Sequence, residues 1–203
     1  SLLHSRPSGS WGTVGCFSAH PLKNLNARGD AGFITTNNPE IANKVRLMRN
    51  HGLINRDTVN QFGYVSRMDE VQAAIINLKL KKLKVWINQR RKIAKTYNEL
   101  LKNTSLILPK ENKKNFHSYY VYVIQHQRRK YIMDKLKKNN IYCNISYPFP
   151  IHLMRGYSYL KYKKSDFPIT EKLSKRIFSL PMYPQLKNSA ILKVVKCLKE
   201  AGI

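Results

Sequence analysis

The chain has 203 residues, 42% of them hydrophobic, which is enough to bury a real core and too apolar for a disordered segment. No apolar run approaches the ~20 residues of a membrane-spanning helix, and Ser1–Arg6 lacks the apolar stretch of a signal peptide. The formal charge is +26, distributed unevenly: residues 1–78 hold 8 Lys+Arg and 5 Asp+Glu, residues 79–203 hold 29 and 6. A field of that size favours anionic partners, nucleic acid among them. The lysines, however, are dispersed over amphipathic segments, as on a lysine-rich solvated surface. Cys16, Cys143 and Cys197 are odd in number and far apart. They form no zinc spacing and no disulfide framework, and read as neutral thiols in a reducing cytoplasm.

In chain order, Gly9, Gly12, Gly15, Gly29 and Gly32 punctuate a nearly neutral first region. Gly32–Thr36 reads as a short strand. Asn38 as N-cap and Pro39 at the first helical position then start a helix with Ile41, Val45 and Met48 on one face, ending near His51-Gly52. Asp69 as N-cap, with Gln72 completing a capping box, starts a second helix. Its apolar pattern runs through Leu83, Ile87, Ala94, Tyr97 and Leu101, which predicts one long or kinked helix carrying the chain into a second region. There, Tyr119–Ile124 reads as a strand, residues 128–138 as a helix, Ile141–Tyr147 as a second strand, and Asn188 as the cap of a last helix. This order describes a small α+β domain. The expected division is residues 1–89 and 90–203.

One segment stands out chemically: Phe17-Ser18-Ala19-His20-Pro21-Leu22-Lys23-Asn24-Leu25, followed by Gly29-Asp30-Ala31-Gly32. A lysine among apolar neighbours is desolvated and loses its proton more easily. A neutral amine can attack an aldehyde to form a Schiff base, and a serine hydroxyl with nearby N–H groups can hold a phosphate. A lysine in a loop is also an ordinary surface residue, so this spacing alone leaves both readings open.

The segment resembles the cofactor-lysine motif of the DegT–StrS family of sugar aminotransferases. The resemblance extends along the chain through Leu47–Gly52, Gly63–Asp69, Gln72-Ala73-Ala74, Arg90-Arg91 with Tyr97, Tyr147–His152, Phe167–Glu171 and Ser179–Pro184. It implies an α/β, aspartate-aminotransferase-like fold-type I enzyme dependent on pyridoxal 5'-phosphate (PLP): a partial large domain followed by a small α+β domain. It implies that Lys23 is the catalytic Schiff-base lysine and that Ser18 binds the cofactor phosphate. It further implies transfer of an amino group from L-glutamate to a nucleotide-linked keto-sugar by a cytoplasmic homodimer, without metal, nucleic acid or membrane partners. Retention of Lys23 sets the chain apart from the family's dehydratase branch, which has His there.

Four departures accompany these matches, the mildest being Ala31 in Gly29-Asp30-Ala31-Gly32, where the family has Gly-Asp-Gly-Gly. Val65 stands where the family commonly has Asn, in a stretch that approaches the neighbouring subunit's cofactor phosphate; valine cannot donate that hydrogen bond, so the contact is either absent or taken by Ser66. Ser146 stands where a His often precedes the Tyr-Pro element, while His152 is retained with either a functional or a structural role. By family spacing, the Asp and aromatic residues that flank the pyridine ring would precede Ser1. The expectation is therefore a partial chain that is not a competent enzyme by itself. The alternatives are a non-catalytic remnant of such an enzyme and a basic nucleic-acid-binding protein.

Overall fold

The computed structural model describes residues 1–203. They form two compact units, residues 1–87 with 111–117, and residues 88–110 with 118–203.

The first unit begins with β1 (Leu2–Leu3), paired antiparallel with β2 (Arg6–Pro7). A separate antiparallel pair, β3 (Gly15–Ser18) and β4 (Gly32–Thr35), runs in the register Gly15↔Thr35 to Ser18↔Gly32. Helix α1 (Pro39–Met48) starts as the sequence indicates. The Asn38 side chain accepts hydrogen bonds from the Glu40 and Ile41 N–H groups, and Pro39 occupies the first turn, where its missing donor costs nothing. After α1 the chain turns sharply at Gly52, whose φ is +72° and whose N–H donates to the Leu47 carbonyl at 3.0 Å. Helix α2 (Glu70–Leu80) and helix α3 (Leu83–Leu101) follow. β5 (Asn115–Phe116) returns to pair antiparallel with β1.

The second unit takes the remainder of α3, then β6 (Tyr122–Gln125), α4 (Arg129–Lys138), two short 3-10 helices at Ile151–Leu153 and Arg155–Leu160, α5 (Pro168–Ser174), β7 (Ile177–Leu180) and α6 (Asn188–Lys199). Strands β6 and β7 pair antiparallel, Tyr122↔Leu180 to Gln125↔Ile177. The helices cover this pair with stripes at helical spacing: Ile93, Ala94, Tyr97 and Leu101 from α3, Ile132 and Leu136 from α4, Ile191, Val194, Val195 and Leu198 from α6. The rings of Tyr97 and Tyr122, both fully buried, meet at 5.0 Å between centroids. Each Tyr hydroxyl has a partner, Pro181 O for Tyr97 and Asn98 Oδ1 for Tyr122, as a buried phenol requires.

The structure corrects several expectations. The Asp69 side chain makes no capping bond, and the Gln72 side chain, the other half of the expected capping box, is drawn into a tertiary contact described below. The long helix breaks at Lys81-Lys82 between α2 and α3. The first aromatic strand starts at Tyr122, not Tyr119, because Tyr119 adopts φ +44°, outside the strand region. Residues 141–147 form no strand and touch the sheet through a single bridge, Asn144↔Ser179. The partner of β6 is β7, which overlaps the Ser179–Pro184 motif. Lys187, not Asn188, is the N-cap of α6, without a side-chain bond.

Candidate active site: the loop that carries Lys23

Lys23 lies on the loop between β3 and β4. The strands clamp both ends of that loop: the Phe17 and Phe33 rings stack at 5.0 Å and 10°, and Ala19 N–H donates to Ala31 O at 2.8 Å. Inside the loop, Pro21 occupies the second position of a four-residue turn closed by Lys23 N–H to His20 O at 2.8 Å. Proline pre-sets the backbone for that position. Ala27 N–H then folds back to Ala19 O at 2.8 Å.

Side chains complete the turn. The Ser18 oxygen accepts from His20 N–H at 3.3 Å. His20 Nδ1 accepts from Leu22 N–H at 3.2 Å, so the neutral ring carries its proton on Nε2, which faces Asp30 Oδ1 at 3.9 Å. Asn26 Nδ2 donates to Pro21 O at 2.7 Å. Ser18 is exposed and Lys23 half-buried. One hydroxyl at the end of β3 and one amine on the adjoining turn thus belong to the same tightly bonded piece of backbone.

This loop is supported from α2. Gln72 Oε1 accepts from Arg28 N–H at 2.7 Å. Ile76 packs with the buried Ala19 and Ala27. Lys79 Nζ donates to Asn26 O at 2.9 Å and also to Asn26 Oδ1 at 2.5 Å. Residues 72, 76 and 79 share one helical face. Burial, then the neighbouring Arg28 charge, holds the Lys79 amine below its ordinary pKa. No motif in the sequence marks Lys79 or Asn26, and Gln72 reads there as part of a local cap. The signal available was the i, i+4, i+7 spacing of two polar residues around Ile76.

The remaining expected residues stand apart from this turn. Val65 is exposed and forms an isolated bridge with Asn50, while Ser66 N–H donates to Arg49 O at 2.9 Å. His152, in the second unit, is buried against Phe167, and its Nε2 lies 3.2 Å from Glu171 Oε1. The same Glu171 oxygen accepts from Ser165 N–H at 2.7 Å. Burial alone would raise the Glu171 carboxyl, but the Ser165 and Phe167 N–H groups and His152 together hold it below its ordinary pKa. His152 is thus engaged in a fold-stabilising contact. No helix is long and apolar enough to cross a membrane, and no three His, Cys, Asp or Glu side chains are grouped to hold a metal ion.

The same architecture occurs in Streptomyces venezuelae DesV, solved in complex with a ketimine intermediate. It matches 99% of this chain and 55% of that one with a TM-score of 0.94 at 28% identity. The likeness is consistent with the architecture of fold-type I aminotransferases. The chain belongs to the DegT/DnrJ/EryC1/StrS aminotransferase family, whose model matches residues 1–199. Among curated relatives, it is 38% identical over 201 residues to a dTDP-3-amino-3,4,6-trideoxy-alpha-D-glucose transaminase of Micromonospora megalomicea subsp. nigra, covering 96% of this chain and 54% of the relative. It is 39% identical over 195 residues to a protein of Geobacillus stearothermophilus named pleiotropic regulatory protein, covering 95% of this chain and 52% of the relative. The chain spans about half the length of the curated relatives it matches.

Proposed function

We propose that the protein is a PLP-dependent aminotransferase that moves an amino group from L-glutamate to a nucleotide-linked keto-sugar, with Lys23 as the cofactor lysine and Ser18 as a ligand of the cofactor phosphate. The observation that carries this reading is the turn itself. The Ser18 oxygen already accepts from His20 N–H, so its hydroxyl proton is left to donate to an anionic oxygen. Lys23 follows on a turn whose backbone is closed by its own N–H. A phosphorylated aldehyde fits such a donor set: the hydroxyl meets the phosphate and the amine meets the aldehyde. When bound, PLP supplies an electron sink for the carbon that loses its proton. Lys23 Nζ anchors the cofactor, and when released as a free amine it takes and returns that proton.

The relatives named as sugar-nucleotide transaminases support the substrate class, and a strongly basic chain suits a doubly phosphorylated substrate. The reading extends to a cytoplasmic homodimer, with the first unit as part of a larger cofactor-binding domain and the second as the small domain, a division that differs from residues 1–89 and 90–203 because residues 111–117 belong to the first unit. Helix α2 supports that partition: Val71, Leu78 and Leu80 are all more than half exposed. A helix apolar on several sides is normally buried in a finished protein. The test is Lys23→Ala in the native protein. The visible absorbance of lysine-bound cofactor is expected to vanish and glutamate-dependent turnover to fall at least ~100-fold, the low end for losing an acid–base group. Wild-type turnover in the variant refutes the assignment.

A further inference from the structure

Building on the reading of Lys23 as the cofactor lysine, we propose that Lys79 is a positioning residue for the same reaction, acting through Asn26 on the turn that presents Lys23. The connection can be followed bond by bond. The Lys79 ammonium donates to both Asn26 oxygens. An ammonium is a donor only, so it fixes which way the Asn26 amide faces: Oδ1 toward Lys79, Nδ2 away. Nδ2 thereby meets Pro21 O at 2.7 Å. Pro21 is the second residue of the turn that Lys23 N–H closes on His20 O. Removing the ammonium frees Asn26 to rotate and releases the turn.

Two neighbours on α2 show that this face is built against the loop. Gln72 holds Arg28 N–H on the far side of Asn26, and Ile76 fills the space between with the buried methyls of Ala19 and Ala27. Lys79 is therefore the last of three consecutive contacts. It is also half-buried, with burial lowering its amine pKa. A freely solvated surface lysine has neither two fixed acceptors on one residue nor that shift. Because reactive groups displaced by about 1 Å lose up to about 100-fold in rate, a loosened turn is felt in the chemistry of Lys23.

The test uses the native protein with PLP as the probe. The Lys23 amine condenses with the aldehyde carbon, forming a C=N bond and releasing water. Borohydride then delivers hydride to that carbon, leaving a C–N bond that peptide mass mapping locates. Lys79→Met, similar in length but without donors, is expected to slow trapping at Lys23 by about 10- to 100-fold. In cofactor-free protein it is expected to speed amide hydrogen exchange at Lys23, whose N–H closes the turn on His20 O. Lys79→Gln, whose neutral amide still carries two N–H donors, is expected to bring trapping back to within about threefold of wild type. Asn26→Ala leaves α2 intact and is expected to slow trapping as Lys79→Met does, which keeps the test available if the methionine variant misfolds. Equal trapping in wild type and in whichever of these two variants folds overturns the proposal. So does slowed trapping with unchanged exchange, because the effect then does not pass through the loop. Wild-type protein that is never trapped at Lys23 overturns the underlying cofactor assignment instead.

Discussion

Replacing Arg90 with methionine is expected to destabilise the second unit by about 3 kcal/mol. Arg90 lies on the buried face of α3 with 8% of its surface exposed. Its Nη1 donates to the carbonyls of Tyr119 at 3.3 Å, Tyr120 at 3.1 Å and Met182 at 2.9 Å. One guanidinium nitrogen carries two N–H groups, so two of these bonds are complete at any moment and the third is shared. Hydrogen bonds from a charged donor contribute about 1.5–3 kcal/mol each, or about 3–6 for the pair. Burial opposes part of this gain, as the lowered pKa of the guanidinium records. Arg90 Nε, buried without a partner, adds nothing. Methionine fills similar space without desolvating a charge, but it removes the Arg90 bonds to the carbonyls of Tyr119, Tyr120 and Met182. A loss of about 3 kcal/mol is about 100-fold in the folding equilibrium. With a urea slope of about 1–3 kcal/mol/M it lowers the midpoint by about 1–3 M. Urea titration followed by near-ultraviolet circular dichroism reads that shift through the buried tyrosines. A change within about 0.5 kcal/mol, the scatter of neutral surface substitutions, refutes the reasoning.

Further outcomes follow from particular contacts. Glu171→Gln is expected to flatten the acid limb of stability: the wild-type carboxyl lies below its ordinary value of 4.5, so its contribution is present above that pH and lost as pH falls through the depressed folded value. Parallel stability curves for wild type and variant below about pH 4.5 speak against this. Native thiol labelling with a maleimide is expected at the exposed Cys16 alone, because Cys197 is buried and burial pushes the Cys143 thiol up to about 12; rapid modification of Cys143 contradicts that environment. Gly52→Ala is expected to lower the melting temperature and loosen residues 49–66. A Cβ there lies 1.7 Å from the Gln61 carbonyl oxygen at φ +72°, and the backbone strain alone costs about 1–3 kcal/mol. An unchanged thermal transition and unchanged exchange in that segment contradict the expectation.

Local chemistry made part of the fold legible. Asn38-Pro39 starts α1 because capping depends on a few adjacent residues, and the stripes of α3, α4 and α6 follow from spacing within one helix. The readings that failed involved long-range competition. Gln72 had a local cap available and was taken instead by Arg28. The run 141–147 is as apolar and β-branched as many strands, but it pairs only at Asn144. β7, about 55 residues further on from β6, takes the full ladder instead. A strand exists only when a partner meets its hydrogen-bonding edge, and no window of sequence contains that partner.

For the candidate site, sequence by itself determined the chemistry available: an amine at Lys23, a hydroxyl at Ser18, a proline that starts the turn between them, and an ordered set of motifs that already pointed to one family. Tertiary structure decided how that chemistry is held. The β3–β4 register closes the loop ends, and one face of α2, more than forty residues downstream, supplies Gln72, Ile76 and Lys79 to its interior. His152 shows the same division. The resemblance of Tyr147–His152 to a family element left it with either a functional or a structural role, and only the folded chain, by bringing Glu171 to 3.2 Å, gave its imidazole a partner. Residue type and spacing specify which reactions a side chain can perform, whereas its orientation and hydrogen-bond partners depend on segments far away in the chain, whose approach is paid for by the packing of the whole unit.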